Sequence, residues 1–226
     1  MTSYEALRRT RPELFASPPG GFEILLDPAD VEAARRGVGG PDGGAGEPVG
    51  VVYSDRFITV VRDAVRFPDG RLGLHVRILP TSGTPGVVVL PLLGPAPELV
   101  LIEHYRHPTR SWHVEAPRGF GEPDAEATAS AVRELGEELG TAPDELVHLG
   151  ALHPDSGLLS SRVELYAARI PAIGDLGAEE GIRRTRVVSV AEAEDLIREG
   201  ELTDGFTLAV YTRARLAGLL DGPHAE

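Results

Sequence analysis

Residues 125–139 have the spacing of one amphipathic helix, stopped by Gly140, and its last two turns carry Glu134, Glu137 and Glu138. At 100° per residue, Ala131, Val132, Leu135 and Leu139 form the expected buried stripe. The three glutamates gather on a different face at i, i+3 and i+4, so their carboxylates are neighbours. The arrangement is unfavourable twice over. Like charges at this spacing repel, and the C-terminal end of a helix favours cations. Each effect is worth only about 0.3–1 kcal/mol on an exposed surface, which a solvated acidic face absorbs. A bound divalent cation reverses both penalties, and hard carboxylate oxygens suit Mg²⁺. The helix alone leaves both readings open.

Composition limits the chemistry that can accompany this helix. Among 226 residues there is no Cys, and the chain also lacks Lys, Asn and Gln, so all 22 basic residues are Arg. That removes disulfides, thiolate nucleophiles and zinc–thiolate sites. It also removes Schiff-base chemistry and a P-loop lysine. A catalytic site is left with Asp, Glu, His, Arg, Ser, Thr and Tyr, with or without a metal. Thirty-five acidic residues give a formal net charge of −13, the wrong sign for a general nucleic-acid binder. The opening residues, MTSYEALRRTRPE, contain no apolar signal-peptide core. The most apolar run, 86–94, is interrupted by Pro91 and is far shorter than the ~20 residues of a membrane span. A soluble cytoplasmic protein with no nucleic-acid or membrane partner is expected. His104, His107 and His113 form no HExxH pattern, so a histidine metal site is not expected. Trp112, the only Trp, reads as a core or interface aromatic ahead of a base-stacking one.

The rest of the chain reads as mixed strands and helices. Two short helices are expected before residue 37, the second with Asp27 as N-cap and Pro28 as its first residue. Half of residues 37–50 are Gly, which marks a flexible boundary. The expected division is an N-terminal segment, 1–45, of unknown role and a main domain, 46–226. Residues 57–67 and 71–79 flank Pro68-Asp69-Gly70 as a β-hairpin. Further strands are expected at 87–92, 99–104, 112–115, 147–152, 163–170 and 186–190, and closing helices at 191–199 and 206–220. The pattern points to an α+β fold with helices packed on a mixed sheet.

The stretch RGFGEPDAEATASAVRELGEELG, residues 118–140, resembles the Nudix box, G-x5-E-x7-R-E-U-x-E-E-x-G-U with U a bulky apolar residue. Gly119, Arg133, Glu134, Leu135, Glu137, Glu138 and Gly140 fall in register. Ala125 replaces the first box Glu, with Glu126 one place late, and Thr141 replaces the final apolar residue. The resemblance implies the Nudix fold, a mixed β-sheet sandwiched between helices with a loop–helix–loop catalytic motif. LVLIEHYRHP followed by WHVEAPRG extends the similarity to the ADP-ribose pyrophosphatase branch. In the turn His153-Pro154-Asp155-Ser156-Gly157, Ser156 stands where that branch carries a diagnostic Pro.

By this similarity the chain is a Mg²⁺-dependent hydrolase, with Mn²⁺ as a possible substitute, acting on a small-molecule nucleotide. ADP-ribose, cleaved to AMP and ribose 5-phosphate, is the first substrate implied. Glu134, Glu137, Glu138 and the carbonyl of Arg118 would hold metal, Glu137 would bind metal or assist catalysis, and Arg106 would contact a phosphate. Glu115 aligns with a Glu near the metal or the adenine. Glu179 or Glu180, in an acidic loop after the box, would be the general base. Relatives of this branch are generally homodimers, and the 57–79 hairpin is the segment that would reach the partner. Ala125 and Ser156 motivate two alternatives: a catalytically weakened nucleotide-binding or regulatory protein, and a hydrolase for another nucleotide sugar or dinucleotide.

Overall fold

The computed structural model describes residues 3–38, 47–122, 124–175 and 181–221. It divides into two compact units, Met1–Gly83 with Asp155–Ser161, and Thr84–Pro154 with Arg162–Glu226. Residues 47–83 thus belong to the same unit as the N-terminal segment.

The first unit is built on the expected hairpin. Strands β3 (Ile58–Arg66) and β4 (Leu72–Pro80) pair in unbroken antiparallel register. The turn between them closes through Gly70, whose φ of +84° is left-handed backbone that Gly adopts without a Cβ clash. β1 (Glu23–Ile24) and β2 (Gly50–Ser54) add to the other edge of β3. Helix α1 (Tyr4–Thr10) places Leu7 with Val61 and Leu79, while α2 (Pro28–Val38) places Ala34 with Leu25 and Ala64. Asp27 caps α2 as expected, its Oδ1 accepting from the amide of Ala29 at 2.9 Å. A buried ion pair sits in the α1 layer. Asp63 accepts from Arg77 Nε at 2.6 Å and from the Tyr4 hydroxyl at 2.5 Å, and Arg77 also reaches the Leu14 carbonyl at 2.5 Å.

The second unit is a seven-stranded mixed sheet. It contains β5 (Gly86–Leu93), β6 (Glu98–Arg106), β7 (Ser111–Glu115), β8 (Arg118–Gly119), β9 (Glu145–Leu152), β10 (Val163–Ile170) and β11 (Ile182–Ser189). β10 runs parallel to β5, and every other pairing is antiparallel. One face, with Val88, Leu90, Leu92, Leu99, Leu101 and Leu165, packs against α4 (Val190–Glu199) and α5 (Gly205–Leu216). The other face, with Val87, Val89, Val100, Ile102 and Tyr166, packs against α3 (Ala127–Leu139). Strict alternation along β5 and β6 assigns neighbours to opposite layers, as a sheet covered on both sides requires. Each fully buried Leu or Ile in these layers stabilises the fold by about 1.5–3 kcal/mol. The α+β architecture, a mixed sheet between helices, agrees with the sequence reading. Among the described residues no helix is long and apolar enough to cross a membrane.

Candidate active site

The site begins with a split in the sheet. β5 and β6 pair only beside their connecting turn, at Leu92↔Leu99 and Leu93↔Glu98. Beyond that point they diverge, and the chain from Ser111 to Gly119 fills the gap. β7 pairs with β6 up to Glu115↔Ile102, and β8 pairs with β5 at Arg118↔Val88. Pro117 lies between them, and having no N–H it cannot continue a ladder as donor. Its carbonyl accepts from the amide of Val89 at 2.9 Å. The result is a peptide, 115–119, lodged inside the sheet, with Glu115, Ala116 and Pro117 buried and Arg118 and Gly119 half-buried.

Glu115 is 0% exposed. Arg106 forks onto it, with Nε 3.2 Å from Oε2 and a second, short contact to Oε1. His104 Nδ1 lies 3.5 Å and Arg118 Nε 3.7 Å from the same Oε1. Burial of His104, then the charges of Arg106 and Arg118, hold the imidazole near a pKa of about 4.

Helix α3 brings two carboxylates to this peptide. Glu134 is 6% and Glu138 2% exposed. Glu138 Oε2 accepts from the Arg118 amide at 3.2 Å. Burial, with the nearby Glu134 charge next, pushes the Glu138 carboxyl up to about 8, and the Arg118 amide partly opposes this. Two sequence expectations change here. The glutamates do not form a separate solvated face, because Glu134 and Glu138 share the buried arc with Ala131, Leu135 and Leu139. Val132, placed in the stripe from its angle, is 40% exposed. The covered arc runs from Ser130 to Leu139 and is centred between Glu138 and Ala131, which takes in Glu134 and Glu138 and leaves Val132 just outside its edge.

Small residues and one arginine fix this geometry. A β-carbon at Gly119 would lie 1.9 Å from Oε1 of Glu134, so only Gly allows that carboxylate its position. Arg133 binds Glu134 at 2.5 Å and the Phe120 carbonyl at 3.1 Å, and also pairs with Glu137. It thereby clips the loop to the helix. Gly140 ends α3 at φ +59° and meets the backbone of Asp175 too closely for a Cβ. Gly174 donates its amide to the Leu139 carbonyl at 2.9 Å. The segment leading to the acidic loop is therefore anchored on the end of α3.

The structure brings Arg106, Glu115, Arg118, Glu134 and Glu138 into one neighbourhood. Glu137 is 47% exposed at its side chain and paired with Arg133. Glu179 and Glu180 lie outside the described residues. Glu126 occupies the N-cap position of α3 but makes no side-chain capping hydrogen bond. Among the described residues, no three acidic or histidine side chains already converge as a ligand set. Two buried carboxylates nevertheless suit a hard divalent cation.

Sequence reasoning missed His104 as a buried neighbour of Glu115. It also missed the pair Asp204 and Thr207 at the start of α5. Thr207 Oγ1 accepts from the buried amide of Ala116 at 2.9 Å. An Asp followed by an apolar helix is an N-cap signal, and that signal was available.

The family model described as the NUDIX domain matches residues 83–206, more than half of the chain. The chain is 26% identical to CMP-5'-(N-acetyl-N-hydroxy-3-aminopropyl)phosphonate hydrolase of Streptomyces rubellomurinus, over 76% of this chain and 83% of that protein. It is 27% identical to the ADP compounds hydrolase NudE of Escherichia coli, over 54% of this chain and 63% of that one. Against the ADP-ribose pyrophosphatase of Bacillus subtilis it is 22% identical, over 69% and 84%. A crystal structure of an ADP compounds hydrolase superposes with a TM-score of 0.66 at 22% identity, covering 75% of this chain and 90% of that one, which speaks to the fold.

Proposed function

The chain belongs to the Nudix family and is a hydrolase of that family, and on this premise we propose that it cleaves the diphosphate of a nucleoside diphosphate linked to a second moiety, with ADP-ribose as the first substrate. The observation that carries this reading is the burial of Glu134 and Glu138 against the 115–119 peptide. That placement is costly for a structural helix and useful for one that receives a cation. The cation would be Mg²⁺, with Mn²⁺ as a substitute, and Glu134, Glu138 and the carbonyl of Arg118 would hold it. Bound there, it neutralises charge on the diphosphate and lowers the pKa of water. Glu115 holds the Nε and Nη2 edge of Arg106, and the other terminal nitrogen of the guanidinium would meet a phosphate. Glu137 stands at the exposed edge of the cluster, and Glu179 or Glu180 accepts the proton of the attacking water. Water adds to one phosphorus, the P–O–P bridge breaks, and AMP and ribose 5-phosphate leave.

A homodimer in the cytoplasm belongs to the same reading, and light scattering tests the dimer. Similarity to a hydrolase named for a CMP-linked phosphonate favours a second reading, in which the bond class is the same but the nucleotide is a cytidylate. The deciding experiment incubates the protein with Mg²⁺ and a panel of ADP-ribose, other nucleoside diphosphate sugars and CMP-linked phosphonates, and separates the products by chromatography. AMP from ADP-ribose supports the first reading, and CMP release alone supports the second. No turnover of any member overturns both.

A further inference from the structure

The 115–119 peptide is held from two sides of the sheet. On the α3 side, the Arg118 amide donates to Glu138. On the opposite side, three of the first residues of the α5 turn hold the same segment. The β7 ladder ends at Glu115, and the next amide, Ala116, donates to Thr207 Oγ1 at 2.9 Å. Thr207 is 1% exposed. A backbone N–H can only donate, so the Thr207 hydroxyl must send its own proton elsewhere. It goes to Asp204 Oδ2, 2.7 Å away, which also caps α5 by accepting from the Thr207 amide at 2.9 Å. The other Asp204 oxygen faces the Arg118 guanidinium at 3.5 Å, and that guanidinium lies 4.6 Å over the ring of Phe206. A directed chain therefore runs from Ala116 through Thr207 to Asp204. It restrains the backbone at one end of the Ala116–Arg118 step and the side chain at the other.

We propose that Thr207 and Asp204 are positioning residues, which hold the Ala116–Arg118 backbone so that the Arg118 amide meets Glu138 and the Arg118 carbonyl is set for the divalent cation. The link to the cation rests on the metal-dependent reading above. The mechanical part does not, because it concerns the metal-free protein. Thr207 accepts from the Ala116 amide and Asp204 faces the Arg118 guanidinium, so their effect passes through the backbone and the side chain of this segment. Partners of this indirect kind commonly change metal affinity 10- to 100-fold.

The experiment compares wild type with Thr207→Val, which keeps the shape and removes the acceptor, and Thr207→Ser, which restores it. In the metal-free proteins, hydrogen exchange at the Ala116 and Arg118 amides is followed by NMR. Mn²⁺ affinity is then measured from the electron paramagnetic resonance of the free ion. Thr207→Val is expected to exchange at least tenfold faster at both amides and to bind Mn²⁺ about tenfold more weakly. Thr207→Ser is expected within about threefold of wild type in both. Wild-type exchange in Thr207→Val overturns the proposal, and faster exchange with unchanged Mn²⁺ affinity overturns its link to the cation. If Thr207→Val does not fold, Asp204→Asn carries the test, since Asn still caps the helix but loses the charge facing Arg118. Faster Arg118 exchange and weaker Mn²⁺ binding in that variant support the proposal, and wild-type values overturn it. A wild type that neither binds Mn²⁺ nor turns over the nucleotide panel overturns the metal reading and the link to it, while the exchange arm still decides whether Thr207 holds the segment.

Discussion

The α-carbon of Gly119 and the carboxylate of Glu134 occupy adjoining space, so close that a β-carbon on residue 119 would stand 1.9 Å from Oε1 and 2.1 Å from Cδ. One residue from the loop and one from α3 thus define each other's position. Gly119→Ala is expected to drive Glu134 out of the buried cluster. Overpacking of this kind costs about 1–3 kcal/mol, so the protein should still fold. Its kcat/KM on the preferred nucleotide should fall by at least about a hundredfold, consistent with about 2.7 kcal/mol of lost transition-state stabilisation. Steady-state kinetics alongside a thermal melt checks both halves.

The metal-free protein should lose stability as pH rises from about 6.5 to 8. Glu138 has its folded-state pKa raised from 4.5 to about 8. Between those values the folded state keeps a proton that the unfolded state has released, so stability falls with rising pH. His104 works the other way, from 6.5 down to about 4. Its contribution is present above 6.5 and is lost as pH falls toward 4. From 4.5 to 6.5 the two trends oppose each other, and above 6.5 only Glu138 acts, by up to about 2 kcal/mol. Urea titrations at a series of pH values should show this decline. Glu138→Gln should flatten it, and saturating Mg²⁺ should reverse it by replacing the proton.

Arg133 clips loop to helix through a planar fork shared among Glu134, Glu137 and the Phe120 carbonyl. A lysine keeps the charge but not the fork. Arg133→Lys is expected to lose at least about tenfold in kcat/KM with a Tm change of only a few degrees, and a melt with matched kinetics distinguishes this from general destabilisation.

Glu126 makes no capping hydrogen bond and is exposed at the start of α3. Its side chain therefore does not fasten the first turn of the helix. Glu126→Ala should keep kcat/KM within about threefold of wild type and change stability by about 0.5 kcal/mol or less, as kinetics and a denaturant melt would show.

In the first unit, Asp63 is buried and its charge is met by Arg77 and Tyr4. Arg77→Ala leaves that charge uncompensated and should destabilise the unit by about 3–5 kcal/mol. Asp63→Asn combined with Arg77→Ala should recover part of the loss, which a double-mutant cycle of urea midpoints measures.

Much of this molecule was legible in its sequence because the signals are local. The 3.6-residue period and Gly140 located α3 to within two residues of its observed start. Runs rich in Val, Ile and Leu located β3 through β6, the short WHVE stretch located β7, and Pro68-Asp69-Gly70 located the hairpin. β8 was missed because two residues carry no periodicity. β2 was missed because its residues follow a glycine-rich run that reads as a loop. The exposure of Val132 and the burial of Glu138 were also misjudged. Helical angles order residues around an axis but do not say which arc faces the sheet.

By itself the sequence determined the helix, its three glutamates, the loop Gly119 and a catalytic repertoire without Cys or Lys. These follow from residue identity and short spacing. The tertiary structure decided what those residues meet. The divergence of β5 from β6 opened a slot in the sheet, and Pro117 filled it without a donor. That placed the Arg118 amide on Glu138 from one layer and the Ala116 amide on Thr207 from the other. Residues twenty and ninety-one positions apart meet there. Such meetings depend on how strands pair and how layers stack, which no local period encodes.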